Sequence, residues 1–425
     1  MTFRRLQIWV VALGGLCSFG CKPPEESVQK AIIGAVLIDG TGGPPVSDSV
    51  VIVAGSRIRA VGNRANMPIP AGVEKINGMG KFLVPGLIDL HVLPGTRSAT
   101  GPLSKAEDYT RERIERNLNA YLYFGVTSVR STWGDRQAEF DVRKAERDGQ
   151  LQTANLFIAG VGNVVKYNAS PEEARQKVDA LARQQVDGLV IAYDKPAVID
   201  ATIDEARKYK IPVTGESSSL TITESFLRAG AAGFLEMIQD TEDIDAAFIA
   251  RLRDLRIVFV PALVRHELGW LFSEHPRLLD DPDVARSVDA DVIAAARQQN
   301  DATPDQRLDF ERAMRNTRKL AAGGVLIGVG SDGGSALDFP GLMTHRELEL
   351  LQEAGLSPMD VIVAATRTGA MALRKTDEMG TIEPGRRADL MLVSANPLED
   401  VRNLRKIDRI MLHGEWVDRD HLALK

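Results

Sequence analysis

The stretch Phe82-Leu-Val-Pro-Gly-Leu-Ile-Asp-Leu-His91 constrains the fold of this chain more than any other. A short apolar run bounded by glycine and turn signals reads as a strand buried on both faces. Such strands belong to parallel sheets with helices on either side, and His91 falls where this one emerges. In a barrel of parallel strands the chemistry sits at the C-terminal strand ends, which makes His91 a ligand or catalytic candidate. A histidine satisfied by a hydrogen bond in the core is the competing reading.

The middle of the chain repeats that signal. Gly125-Val-Thr-Ser-Val-Arg130, Ala154-Asn-Leu-Phe-Ile-Ala159, Gly188-Leu-Val-Ile-Ala192, Ile211-Pro-Val-Thr-Gly-Glu216, Gly233-Phe-Leu-Glu236, Ile257-Val-Phe-Val-Pro-Ala262 and Val325-Leu-Ile-Gly-Val-Gly330 are further strand candidates. With the opening strand they make eight, the number that closes a (β/α) barrel. Helices between them announce their starts. Ser170-Pro-Glu-Glu173 sets a capping serine before proline with glutamate three residues on, and Thr303-Pro-Asp-Gln306 and Ser357-Pro-Met-Asp360 repeat the device. The stretch 283–320 is longer and more charged than a barrel needs, so an insertion over the barrel mouth is expected there.

Both ends read differently. Ala31-Ile-Ile-Gly-Ala-Val-Leu-Ile38, Ser49-Val-Val-Ile-Val53 and Arg57-Ile-Arg-Ala-Val61 are short β-branched runs separated by glycine and proline clusters. Ala388-Asp-Leu-Met-Leu-Val393, Ile407-Asp-Arg-Ile-Met-Leu412 and Glu415-Trp-Val417 match them at the far end. One composite β-sandwich built from both termini is expected: 30–82 and 381–425, flanking a barrel over 83–380. The fold class is therefore α/β, a (β/α)8 TIM-type barrel with a small terminal sandwich.

Arg4-Arg5 precede an apolar stretch from Leu6 to Leu16, followed by small residues and Cys21, the layout of a secretory signal over 1–20. Ser18-Phe-Gly-Cys21 resembles a bacterial lipoprotein cleavage box, which makes Cys21 the expected acylated residue and 21–29 a tether. The protein is then expected in the periplasm or cell envelope, held to a membrane through that lipid alone. The apolar stretch is short for a spanning helix. Cys17 and Cys21 are the two cysteines, so the folded part carries no disulfide, thiolate metal site or cysteine nucleophile. A net charge of -6 gives no electrostatic footprint for nucleic acid.

Leu83-Val-Pro-Gly-Leu-Ile-Asp-Leu-His91 resembles the first barrel strand of the amidohydrolase superfamily, metal-dependent hydrolases whose motif ends in His-x-His. Gly125-Val-Thr-Ser-Val-Arg130 is similar to the family's second strand, Ala229-Gly-Ala-Ala-Gly-Phe-Leu-Glu236 to its sixth and Val329-Gly-Ser-Asp332 to its eighth. The likeness runs from about Ala31 to Trp416 and is greatest to the imidazolonepropionase-like and prolidase-like branch. It implies that His91 and Asp332 are metal ligands, with Asp332 also handling the proton of the attacking water. Elsewhere the chain departs from the pattern. Leu93 stands at the second histidine, Val190 at the bridging lysine of strand four, Glu216 at the histidine of strand five and Glu236 at that of strand six. Lys195 lies beyond its strand end, and no motif supports His266 or His345 as ligands.

Two functions follow. In one, His91, Glu216, Glu236 and Asp332 hold one divalent ion that activates water against a C–N bond. An oxygen-rich set suits Mn, Fe or Mg better than Zn. Arg130 and Arg265 would then contact a small-molecule substrate, with cyclic amides, dipeptides and lactones all open. In the other, the scaffold is a binding module without its catalytic metal, and Arg130, Arg265 or Lys166 pairs Glu216 and Glu236. Nothing in the sequence speaks to oligomeric state.

Overall fold

The computed structural model describes residues 28–101, 105–134, 136–162, 169–192 and 195–424. Cys21 and Lys166 lie outside the described residues, as does the expected signal segment. Eight parallel strands form the central sheet: β1 (Leu87–Val92), β2 (Val126–Ser131), β3 (Asn155–Val161), β4 (Gly188–Ile191), β5 (Val213–Glu216), β6 (Gly233–Leu235), β7 (Val258–Val260) and β8 (Leu326–Ile327). Neighbours in sequence are neighbours in the sheet. The sheet closes past the end of β8. There Leu90 donates its amide to Val329 at 2.8 Å, Asp332 to the carbonyl of His91 at 2.7 Å and Leu93 to Gly333 at 2.7 Å. This is the (β/α)8 barrel expected from the alternation.

The opening stretch behaves differently from its apolar pattern. It is two strands in two sheets. Phe82–Pro85 pairs antiparallel with Leu390–Val393 in a terminal sheet, and Leu87–Val92 begins the barrel. Gly86 is the joint, and a Cβ built there would stand 2.2 Å from the hydroxyl of Thr127. Only a residue without a side chain lets the backbone pass that close.

The termini interleave. A four-stranded sheet of N-terminal strands faces a five-stranded sheet in which Val36–Leu37 and Phe82–Pro85 join three C-terminal strands. Ile32, Val51, Val53 and Ile58 from the first sheet pack on Leu83, Leu390, Leu392 and Met411 from the second. Each such side chain, fully buried, contributes about 1.5–3 kcal/mol.

Capping follows the sequence signals. Ser170 with Glu173 and Thr303 with Gln306 form reciprocal capping boxes, and Ser357 accepts from the amide of Asp360. Between β7 and the helix Pro304–Ala322 runs a series of short helices from Leu263 to Ala296. Asp289 in this series accepts from Arg97, Arg113 and Arg116, and Asp291 pairs with Arg97, tying it to the loop after β1 and the helix Arg111–Tyr123.

Candidate active site at the barrel mouth

The mouth is assembled from β1 and the turns after β6, β7 and β8. Glu236, Ala262 and Asp332 follow three consecutive strands, and each has a positive φ, at 65°, 50° and 62°. Side-chain-bearing residues adopt this left-handed region at an energetic cost, and clusters of them mark functional sites. The turns point the two carboxylates towards the segment carrying Arg265.

Arg265 pairs with both. Its Nη1 contacts Oε1 of Glu236, and its Nε lies 3.3 Å from Oδ2 of Asp332. The other Asp332 oxygen lies 3.1 Å from Nε2 of His91. The imidazole is fully buried, and neither ring nitrogen makes an aligned hydrogen bond. Arg265 is the accessible member, its side chain 40% exposed against 13% for Glu236 and 8% for Asp332. Glu216, opposite Leu235 in the sheet, accepts at 3.0 Å from the indole N–H of Trp133.

A carboxyl in the barrel wall supports the cluster. Asp89 is fully buried, with Oδ1 accepting from the amides of His91 and Ser331, both at 3.1 Å, and Oδ2 accepting from the hydroxyl of Thr344 at 2.7 Å. It thereby fixes β1 to the segment after β8, just before His91 and Asp332. Burial pushes its pKa up, against the lowering effect of those donors. Glu347 does similar work behind β7: its Oε2 accepts from the amide of Val264 at 2.8 Å, next to Arg265.

The expected four-residue metal set does not form. Glu216 is engaged by Trp133, and the guanidinium of Arg265 lies across Glu236 and Asp332. Among the described residues no three His, Cys, Asp or Glu side chains are grouped to hold a metal ion. His91 and Asp332 alone keep a metal-like disposition, and a cation already spans the two acids. These residues do not fit Mn, Fe, Mg or Zn. The physical reason is charge: a guanidinium between carboxylates provides the compensation an ion would have given.

Arg130 was expected at the substrate and is enclosed instead. It is buried inside the barrel, donating from Nε to the carbonyl of Leu90 at 2.8 Å and from Nη1 to the hydroxyl of Thr214 at 3.4 Å. Burial lowers its pKa to about 10, with Asp89 opposing. It is a strut between β1 and β5. His345 is structural too: its Nε2 lies 2.7 Å from the carbonyl of Phe124, and burial lowers its pKa to about 4. His266 sits beside Arg265 with its ring on the amide of Gln239, and burial, then Arg265, holds its pKa down to about 3. A neutral imidazole at the mouth, and the indole of Trp133, carry no sequence signature.

A parallel barrel whose strand ends converge on Asp332, Glu236 and Arg265 places the chain among (β/α)8 proteins with the site at the C-terminal face. The model of the amidohydrolase family matches residues 82–417, and the chain belongs to that family. It is similar to the imidazolonepropionase of Alkaliphilus metalliredigens, with 23% identity over 88% of this chain and 90% of that one. In structure it is similar to molinate hydrolase, with a TM-score of 0.75 and 21% identity, covering 94% of this chain and 97% of the other. A Xaa-Pro dipeptidase with bound methionine gives a TM-score of 0.71 and 20% identity, covering 91% and 99%.

Proposed function

We propose that this chain is a hydrolase of C–N bonds in small molecules, with the Arg265 guanidinium supplying the positive charge at the barrel mouth. The observation that supports this is the pairing of Arg265 with Glu236 and Asp332 beside His91. Asp332 is the base. Water attacks the carbonyl carbon as its proton passes to the Asp332 carboxylate, while Arg265 N–H groups donate to the carbonyl oxygen as it gains charge. The proton then goes from Asp332 to the leaving nitrogen as the C–N bond breaks, giving an acid and an amine. His91 stands behind the far oxygen of Asp332, with its Nε2 3.1 Å away. Without a metal's lowering of the pKa of water, the substrate has an activated C–N bond, such as a cyclic amide or imide. The protein is exported and held at the envelope by lipid on Cys21.

A second reading, ligand binding without turnover, is favoured by the state of the acids, since Glu216, Glu236 and Asp332 are all engaged by Trp133 or Arg265. The two are separated by incubating chelator-treated protein with a panel of cyclic amides, imides and N-acyl amino acids and measuring product. Turnover that survives chelation and drops about a hundredfold or more in Asp332→Asn and in Arg265→Met supports the first reading. Activity that appears only on adding a divalent ion overturns it. Binding of panel members with no product in any condition selects the second.

A further inference from the structure

The opposite end of the barrel carries a second charged feature that the mouth does not use. The helix Gly369–Ala372 and the segment after it cross the bottom of the barrel, where Ala370, Leu373 and Met379 pack against Ile88, Leu90, Val258 and Val260. Beside this plug lies a cavity of about 710 Å³. Its walls come from three parts of the chain: Arg256 just ahead of β7, Arg367 and Arg374 around the plug, and Arg386 with Thr41 from loops that adjoin the terminal sheets.

Four arginines line it against two carboxylates, Asp377 and Glu383. The acids compensate Arg386 alone, and loosely, at 3.5 Å and 4.0 Å, with the Asp377 side chain fully exposed. The Nε of Arg386 is buried without a hydrogen-bond partner. Arg367 and Arg374 spend one N–H each on neutral carbonyls, of Thr41 and Lys210, both at 2.9 Å. Among the described residues Arg256 has no ion pair. The cleft therefore holds uncompensated positive charge in a chain whose net charge is -6.

Backbone conformation adds a second observation. Arg256 and Arg374 each follow a helix end and are left-handed, at φ 54° and 56°. Glycine is the cheap residue at such a position, so the guanidinium is present there despite the backbone's preference. Guanidinium groups present forked N–H donors that match phosphate oxygens.

We propose that this cleft binds the phosphate group of an anionic ligand, at the end of the barrel opposite the mouth. Binding there would join the barrel to the terminal sheets, since Arg256 leads into a barrel strand and Arg386 lies in the loop that leads to Leu390–Val393. The test compares the full chain with the double variant Arg256→Gly/Arg374→Gly, whose backbone prefers the new residues, so its melting temperature is expected to equal or exceed the parent's. One arm titrates inorganic pyrophosphate by calorimetry, and the other sediments phosphatidylglycerol vesicles. Comparison of the two proteins cancels any contribution from a lipid anchor. Pyrophosphate binding weakened about tenfold or more in the variant supports a soluble phosphate ligand, and an equal loss seen only with vesicles supports a lipid headgroup. Identical behaviour of parent and variant in both arms, or binding by neither, overturns the proposal.

Discussion

Glu347→Gln offers a quantitative test of how the wall behind the mouth is held. Glu347 is fully buried; one oxygen accepts from Val264 and the other has no hydrogen-bond partner. Burial, reinforced by the nearby charge of Asp89, raises its pKa from 4.5 to about 8, against the lowering effect of the Val264 and Leu263 amides. Below pH 4.5 the carboxyl is protonated whether the chain is folded or not, and it makes no difference to stability. Between 4.5 and 8 the unfolded chain releases this proton and the folded chain keeps it, so stability falls as pH rises. At about 1.36 kcal/mol per pH unit, the gap between 4.5 and about 8 is worth about 5 kcal/mol at most. Glutamine keeps the shape and the acceptor for Val264 without the proton to lose. The difference in melting temperature, variant minus parent, should therefore grow from near zero at pH 4.5 to several degrees at pH 8. For a chain of this length each kcal/mol moves Tm by about 1 °C. Scanning calorimetry of both proteins across that range measures it. Parallel Tm profiles from pH 4.5 to 8 would show that Glu347 is not held protonated, and the account of this wall would fail.

Two further substitutions probe the joints of the barrel. Gly86→Ala puts a methyl group into the Thr127 side chain where the chain passes between sheets, so a loss of about 1–3 kcal/mol is expected, read as a lower denaturant midpoint. An unchanged midpoint would mean that the joint can open at no cost. Asp89→Asn removes an acceptor from a carboxyl shared by His91, Ser331 and Thr344, and should cost about 1–3 kcal/mol. Amide hydrogen exchange at the seam between β1 and the segment after β8 should rise with it, and exchange that rises elsewhere instead would contradict the assigned role.

The architecture was legible because its signals are local and repeated. Eight short apolar runs separated by capped helices leave few alternatives, and Ser170 and Thr303 cap as their neighbours Glu173 and Gln306 imply. The split of Phe82–His91 was not legible, because residues on both sides of Gly86 are equally apolar and only the pairing partner differs. At the mouth, His91 and Asp332 were readable as strand-end residues and do meet at 3.1 Å. The pairing of Glu236 with Arg265 is one that the binding-module reading names, whereas the fate of Glu216 was hidden, since it depends on the Trp133 indole reaching it from beyond another strand end. Arg130 shows the same limit. A residue at the end of a strand can turn into the barrel rather than out of it, and neither periodicity nor spacing reports that choice.

The interleaved terminal sheets bear on how the chain comes to be folded. Phe82–Pro85 finds its partner Leu390–Val393 about 300 residues later, a separation that makes this pairing among the slowest to form. While the chain is being synthesised, one edge of that early strand stays without its final neighbour until nearly everything else has been made. Loss of the last strands would thus strand an apolar edge at the doorway to the first barrel strand, coupling the far end of the chain to the stretch that ends in His91.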